Sequence, residues 1–326
     1  MNKRQIPSPL LALFSVLLLA LAGCTGPSAP SGNLEAGKSL QKVVCTTGMV
    51  GDMVQEILGP EVEVQVLMAP GVDPHLFRPS PRDIAALSQA DAVFYNGLHL
   101  EAGLSSTLEN MAKDQKRLVY AVSEGLTAED GLIEVGGSQF DPHFWNDLEL
   151  WEKAAGNLAI RLGEYQPELK AEFEKRAARY QEKLNGLLMA SREAIGAIPE
   201  SQRVLISAHD AFEYFGRSLG LEVAAVQGIS TNTEATVGQI EKLVTLIVER
   251  KIPSIFAEST VSSKAVLAII SGCKQKGFEP QLGGTLYSDA LGPPGSGAES
   301  FMGMYESNVQ TISSALKPAE AAAAGN

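Results

Sequence analysis

Residues 167–198 read PELKAEFEKRAARYQEKLNGLLMASREAIGAI, a stretch with no proline after its first residue. Apolar side chains recur in it every three or four positions and mark one stripe, formed by Leu169, Phe173, Ala177, Tyr180, Leu184 and Leu188. Pro167 suits the first position of a helix, where a missing backbone N–H is tolerated. At a rise of ~1.5 Å per residue, the stretch predicts one helical rod of roughly 45 Å.

Short apolar runs alternate with longer amphipathic stretches on both sides of this rod. Strands are predicted before it at 42–47, 62–68, 91–95 and 118–121, and after it at 203–208, 222–226, 254–258 and 280–286. Helical patterns separate them, among them 51–58, 81–89, 236–250 and 262–276. This alternation is typical of a mostly parallel sheet that is covered by helices on both faces.

The predicted fold class is therefore α/β, with two lobes joined by one long rigid helix. Residues 41–166 form the first lobe, 167–198 the connecting helix and 199–317 the second lobe, and each lobe is a mostly parallel sheet flanked by helices. A coiled-coil oligomer is the alternative for the long helix, but the alternation resumes directly after it, which favours a connector. Ligands of open α/β sheets bind beyond the carboxyl ends of the strands, so we expect the site in the cleft between the lobes.

Both ends of the chain are predicted to lie outside the fold. Lys3 and Arg4 precede an apolar run from Leu10 to Ala22, which is too short to span a bilayer comfortably and suits a secretory signal over 1–23. The run ends in LAGC at 21–24, similar to a bacterial lipobox, which predicts a lipid on Cys24; an incidental cysteine is the alternative. Residues 24–40 then form the lipidated N-terminus and a flexible linker, and 318–326 a disordered tail.

Charge and cysteine content exclude several classes of protein. The formal net charge is −12, to which Lys3 and Arg4 contribute +2, so the remaining chain carries −14. So acidic a chain is unsuited to nucleic acid, which is bound by neutralising its phosphates with basic residues. The three cysteines, Cys24, Cys45 and Cys273, form neither a disulfide framework nor a Cys-x-x-Cys zinc motif, and a disulfide between the last two stays open.

Three of the four histidines share one kind of position. His75 follows the 62–68 strand, His143 lies downstream of the 118–121 strand, and His209 directly follows the 203–208 strand. Asp289 takes the same kind of position after the last predicted strand. Three imidazoles and a carboxylate suit zinc, manganese or iron, so these positions predict one metal site in the cleft.

Two acids and the fourth histidine have other interpretations. Asp141 belongs to the second of two Asp-Pro-His motifs, and Glu258 ends the 254–258 strand, so both are candidates to orient a ligand imidazole. The alternative for either is a solvated acid at the mouth of the cleft. His99 lies in an apolar turn between Leu98 and Leu100 and is interpreted as structural.

Six segments resemble the TroA-like family, the cluster A-I metal-binding lipoproteins of bacterial ABC transporters. They are VDPHLFRPSPRD at 72–83, FYNGLHLE at 94–101, DPHFWND at 141–147, ISAHDAFEYF at 206–215, FAEST at 256–260 and LYSDALGPPG at 286–295. The resemblance places the three histidines and Asp289 on the four ligand positions of the family. It implies an exported protein that carries one divalent metal ion to a permease with its ATPase. We expect a monomer that is lipid-anchored at the cell membrane and faces the periplasm or the cell exterior.

The resemblance also bears on which metal is carried. Members with glutamate at the third ligand position are associated with manganese, and histidine there is commoner among zinc binders. This chain has His209, and imidazole is a softer ligand than carboxylate, which favours zinc. Many zinc members carry a His-rich loop before the second ligand, whereas residues 126–140 contain no histidine. Zn²⁺ is therefore the favoured cargo, with Mn²⁺ or iron as the alternative.

We do not expect this chain to be an enzyme. Four protein ligands fill a tetrahedral shell, whereas a catalytic metal keeps one position open for water or substrate. The sequence contains no HExxH motif, no GxSxG elbow and no Walker A loop. Two alternatives from other classes are a metallohydrolase with one ligand position vacant and a surface adhesin with a large exposed apolar patch.

Overall fold

Short parallel strands form the frame of the first lobe. The structure, a computed structural model, describes residues 39–114, 117–137 and 139–317. The elements of the first lobe are β1 (Lys42–Cys45), α1 (Gly48–Leu58), β2 (Glu63–Val66), α2 (Pro81–Gln89), β3 (Ala92–Tyr95), α3 (Ser105–Asp114), β4 (Leu118–Ala121), β5 (Glu134–Gly136), β6 (Gln139–Phe140) and α4 (Leu148–Tyr165). Strands β1 to β4 pair in parallel in the order β2-β1-β3-β4, and β5 and β6 form an antiparallel hairpin.

The second lobe repeats the parallel pairing. Its elements are β7 (Val204–His209), α6 (Glu213–Leu219), β8 (Glu222–Gln227), α7 (Val237–Arg250), β9 (Ser254–Glu258), α8 (Lys264–Gln275), β10 (Gln281–Leu286) and α9 (Phe301–Leu316). Strand β7 pairs in parallel with β8, and β9 pairs in parallel with β10. Strands β7 and β9 lie side by side, and their last residues meet, since the backbone N–H of His209 donates to Glu258. The predicted α/β class with two lobes is confirmed.

One helix of 27 residues, α5 (Lys170–Gly196), follows the first lobe. Pro167 opens a 3-10 turn over Pro167–Leu169, so the regular helix begins three residues later than predicted. Helix α4, which the sequence did not predict, packs along α5, and α1, α6 and α9 also contact it. The long helix is therefore confirmed, but four other helices pack against it.

The apolar core explains how the lobes are held together. One cluster of buried side chains contains residues of both lobes and of α4 and α5, among them Phe94, Trp151, Leu184, Phe215 and Tyr305. Two smaller clusters cover the remaining sheet faces, one around Val93 in the first lobe and one around Ile255 in the second. Because the largest cluster is shared, separating the lobes would expose apolar surface to water.

Several predictions concern residues outside the described ranges. The signal (1–23), Cys24, nearly all of the linker (24–40) and the tail (318–326) belong to them. Within the described ranges, no helix combines the length and the apolar character that a membrane span requires. Cys45 and Cys273 are both buried free thiols, so the disulfide that the sequence left open does not form between them.

Candidate metal site

The four predicted ligands converge at the carboxyl ends of the strands. His75 lies in the loop after β2, His143 between β6 and α4, His209 at the last position of β7 and Asp289 just after β10. All four side chains are buried, and His75 is the most accessible at 4%. One ligand atom from each lies within 4.8 Å of the other three. Residues far apart along the chain, from both lobes, therefore meet at one point.

The distances suit a small metal ion. Nε2 of His75 lies 3.2 Å from Nε2 of His143, and Nε2 of His209 lies 3.1 Å from Oδ2 of Asp289. The other two imidazoles each place Nε2 at 3.6 Å from an oxygen of Asp289. Zinc bonds of ~2.0–2.1 Å in a tetrahedron put neighbouring ligand atoms about 3.3 Å apart. The same atom, Nε2, of each ring faces the carboxylate, as a shared ligand requires.

Three polar atoms at this point lack hydrogen bonds. Nε2 of His209 and both carboxylate oxygens of Asp289 are buried and have no hydrogen-bond partner within the described part of the chain. Nε2 of His209 approaches Oδ2 of Asp289 to 3.1 Å, but without the angles of a hydrogen bond. Leaving a buried polar atom unsatisfied costs about 1–3 kcal/mol each, more when it is charged. A bound cation would satisfy all three.

Two carboxylates, of Asp141 and Glu258, contact the Nδ1 atoms of His143 and His209, on the side of each ring that faces away from Asp289. Oδ1 of Asp141 accepts from the backbone N–H of His143 at 3.0 Å and lies 2.6 Å from Nδ1 of that ring. Glu258 does the same for His209, with Oε1 accepting from the backbone N–H at 2.8 Å and Oε2 at 2.5 Å from Nδ1. Both acids that the sequence singled out therefore hydrogen-bond imidazoles of predicted ligands. A carboxylate on Nδ1 fixes the ring and leaves the Nε2 lone pair for a metal.

A third acid, Asp73, contacts His75 in a different way. Its Oδ1 accepts from the backbone N–H of His75 at 2.8 Å, and its Oδ2 accepts from the hydroxyl of Thr231 at 2.6 Å. Sequence reasoning did not select Asp73, although it occupies the same place as Asp141 in the repeated Asp-Pro-His motif.

Charges in the cluster shift the pKa values in opposite directions. Burial lowers the pKa of His75 to about 4, although the charge of Asp289 opposes the shift. Burial also disfavours protonation of His209, but the carboxylates of Asp289 and Glu258 outweigh it and raise its pKa well above the ordinary value. Burial alone would raise the pKa of Asp289, but the imidazoles, His209 first, hold it far below its usual range. A proton on His209 and a metal ion thus compete for the same carboxylate.

Hydrogen bonds between the lobes fix the frame of the site. Nε1 of Trp145 donates to the carbonyl of Ser288, next to Asp289, at 3.1 Å. Nδ2 of Asn146 donates to the carbonyl of Ala211, two residues after His209, at 2.8 Å. These donors lie two and three residues after His143, so this short segment hydrogen-bonds the backbone beside His209 and Asp289, the two candidate ligands of the second lobe. Sequence reasoning missed these roles, and the signal for them was only their place in the DPHFWND segment.

His99 does not belong to the cluster. It is exposed and lies in a turn where Gly97, Leu98 and His99 all have positive φ, at 86°, 52° and 65°. The preceding Asn96 donates from Nδ2 to the carbonyl of Pro142 at 3.0 Å, and its backbone N–H donates to the buried carboxylate of Glu101 at 2.7 Å. The turn therefore supports the segment that carries His143, without placing its own histidine near the ligands.

Comparison with known proteins yields one family and close relatives. The family described as ZnuA, zinc-uptake complex component A, periplasmic, matches residues 43–315. The manganese-binding lipoprotein MntA of Bacillus subtilis (strain 168) is 39% identical over 306 residues, which cover 94% of this chain and 99% of the relative. The zinc-binding protein TroA of Treponema pallidum (strain Nichols) is 38% identical over 302 residues, which cover 92% and 96%.

A solved structure gives the same result. The periplasmic zinc-binding protein TroA from Treponema pallidum superposes with a TM-score of 0.81 at 37% sequence identity. The match covers 86% of this chain and 100% of the solved one.

The contacts of Asp141 predict the tautomer of His143. Because a carboxylate can only accept, the neutral ring should carry its proton on Nδ1, and ¹⁵N NMR of the metal-free protein should show this form alone. Asp141→Ala should give a mixture of the two tautomers. Persistence of a single Nδ1–H form in that variant would show that Asp141 does not orient the ring.

Proposed function

Because this chain belongs to the ZnuA family of periplasmic zinc-uptake components, we propose that it is the solute-binding protein of a metal-importing ABC transporter. It captures one divalent transition metal ion outside the cytoplasm and delivers it to a permease with its ATPase. The observation that carries this proposal is the convergence of three buried imidazoles and a buried carboxylate within 4.8 Å. His75, His143, His209 and Asp289 are proposed as the ligands, and the ion is cargo.

Holding an ion fits the geometry better than catalysis does. Four ligands complete a tetrahedral shell and leave no position for water or substrate. The protein frame around the ligands is also rigid, because Trp145 and Asn146 hydrogen-bond the backbone of the second lobe. We propose that the chain has no enzymatic activity. We do not propose an adhesin role, because the buried cluster of three imidazoles and one carboxylate supports metal binding.

Zinc is proposed as the main cargo. The relatives include a zinc-binding and a manganese-binding protein, so similarity alone does not choose between the two metals. Three nitrogens and one carboxylate favour zinc, because manganese prefers oxygen ligands. Ligand spacings of 3.1–3.6 Å also suit short zinc bonds. Manganese, or iron, is the alternative cargo of the same site.

Asp141 and Glu258 are proposed to raise affinity without touching the ion. Each accepts a hydrogen bond from Nδ1 of a ligand ring, which holds the ring in place and increases the basicity of Nε2. Each carboxylate also accepts a hydrogen bond from the backbone N–H of the same histidine, which fixes the position of the main chain at that ligand.

Export and anchoring are proposed from the N-terminal sequence. Acyl chains on Cys24 would tether a monomer to the outer side of the cell membrane, and residues 25–40 would act as the flexible spacer. The tether keeps the protein near the permease and so raises the local concentration of cargo carrier.

Replacing a proposed ligand should weaken metal binding, whereas replacing the fourth histidine, His99, should not. The intact protein should bind one Zn²⁺ per chain, and His209→Ala should weaken zinc binding by about 100-fold or more, because it removes a ligand and leaves Asp289 and Glu258 without their partner. Competition titration against a chelator, with Zn²⁺ and then Mn²⁺, measures both affinities.

His99→Ala is the matched control, since His99 is exposed and outside the cluster. It should leave zinc affinity unchanged. His209→Glu should reduce zinc affinity more than manganese affinity, because it exchanges a softer for a harder ligand. Zinc affinity that is equal in the intact protein and in His209→Ala would remove His209 from the site.

Zinc affinity should depend on pH with a definite sign. His209 binds metal only when neutral and its pKa is raised, so a proton competes with the ion at neutral pH. Affinity should therefore fall by about tenfold per pH unit as the pH drops below that pKa. His75, with a pKa of about 4, adds a second proton only in strong acid. Calorimetry in buffers of different ionisation enthalpy should show about one proton released per zinc ion at pH 7, and a flat affinity between pH 5 and 8 would contradict this.

Cys24→Ser tests the anchor separately from the metal site. When it is expressed in a bacterium with lipoprotein processing, the variant should be lost from the membrane fraction. Without the lipid, only the uncleaved signal could hold it there, and the apolar run of that signal is too short to span a bilayer. Incorporation of labelled palmitate should be lost, while zinc affinity stays the same. Labelled palmitate in the Cys24→Ser protein would refute lipidation at this residue.

A further inference from the structure

The four proposed ligands are not held in place equally firmly by hydrogen bonds. His143, His209 and Asp289 belong to one frame, because the residues after His143 donate hydrogen bonds to carbonyls beside both of the others. Tyr214 of α6 adds another bond to this frame, since its hydroxyl donates to the carbonyl of Asp141 at 2.9 Å. All of these donors and acceptors are well inside the protein. Opening this part of the site would break several buried bonds at once.

The loop that carries His75 is attached in a different way. Residues 69–80 lead from β2 to the first turn of α2, where Ser80 and Asp83 form a capping box. Val72 and Phe77 pack against the outer apolar cluster of the first lobe. Among the described residues, one hydrogen bond joins loop 69–79 to the second lobe, from the hydroxyl of Thr231 to Oδ2 of Asp73 at 2.6 Å. The other oxygen of Asp73 holds the backbone N–H of His75.

Thr231 lies on an accessible segment. Residues 228–236 connect β8 to α7, and every residue among them is exposed or half-buried. The hydrogen bond to Asp73 is part-buried, whereas the bonds of Trp145 and Asn146 are fully buried. The carboxylate of Asp73 thus links a half-buried hydroxyl of one lobe to the backbone of a ligand in the other.

We infer that Thr231 is a positioning residue and that its bond to Asp73 is a latch, which secures the His75 loop to the second lobe and limits the rate of ion release. When the bond opens, the loop can turn about its anchors at Val72 and Phe77 and withdraw one ligand. The ion is then held by three ligands and exposed to water or to the permease. This inference rests on the proposed function and specifies its release step.

The shared core favours this route over separation of the lobes. Lobe separation would break the bonds of Trp145 and Asn146 and expose part of the central apolar cluster. Withdrawal of the His75 loop breaks, among the described residues, one part-buried hydrogen bond to the second lobe and moves one ligand. Loop motion is also faster than movement of packed domains.

Stopped-flow chelation of the zinc-loaded full chain tests the latch. Thr231→Val keeps the shape of the side chain but cannot donate, so zinc release into excess chelator should become about tenfold faster, with less effect on the rate of capture. Thr231→Ser retains the hydroxyl and should restore the rate to near that of the intact protein. Thr233→Val, the same exchange at an exposed position two residues along, should change nothing.

Asp73→Ala provides the second arm of the experiment. It removes the acceptor of Thr231, so Thr231→Val should have no further effect on zinc release in that background. Effects that multiply, or a release rate in Thr231→Val equal to that of the intact protein, would overturn the latch. A chain that binds zinc normally in those cases keeps its proposed function. If the intact chain itself fails to bind zinc, the proposed function is wrong.

Discussion

The carboxylate of Asp289 is buried where the two lobes meet, and its negative charge has to be balanced by the groups around it. It lies 3.1–3.6 Å from the Nε2 atoms of three imidazoles and has no hydrogen bond to either oxygen within the described residues. An uncompensated buried charge costs several kcal/mol, so a proton on His209 or a cation has to balance it. A proton on His209 or a cation can balance this charge only while both lobes keep the imidazoles and the carboxylate close together. A tight connection between the lobes is therefore a condition of the site.

The central apolar cluster meets this condition. Helices α4 and α5 pack along each other, and both contribute side chains to a core that also contains residues of each lobe. Trp151 illustrates the connection, since its ring stacks on Phe301 of α9 and its Nε1 donates to the hydroxyl of Tyr180 of α5 at 3.1 Å. In such a molecule, movement of one lobe relative to the other is costly. We therefore expect the conformational changes of the proposed ion exchange to occur in the loops.

Much of the fold and of the candidate site could be predicted from the sequence, because both depend on local patterns. β4 and β9 were predicted with their observed ends, since each is a short apolar run with clear flanks. The histidines that converge in the structure were selected as candidate ligands because Asp-Pro-His occurs twice and His209 ends a strand. Helix α4 was not among the predicted elements, although Asp147 caps its first turn by accepting from the backbone N–H groups of Glu149 and Leu150. Thr231 and Asp73 are 158 residues apart, and nothing local in either segment indicates that the lobes bring them together.

Protons and a metal ion would compete for the ring of His209. Burial disfavours a proton on this ring, but the charge of Asp289, followed by that of Glu258 on Nδ1, raises its pKa well above the ordinary value. His75 differs, because Asp73 binds its backbone N–H and burial lowers the pKa of its ring. Its ring therefore has little affinity for a proton at neutral pH. In the proposed function, the fixed frame around His209 would hold the ion, and the His75 loop, which one part-buried hydrogen bond joins to the second lobe, would release it.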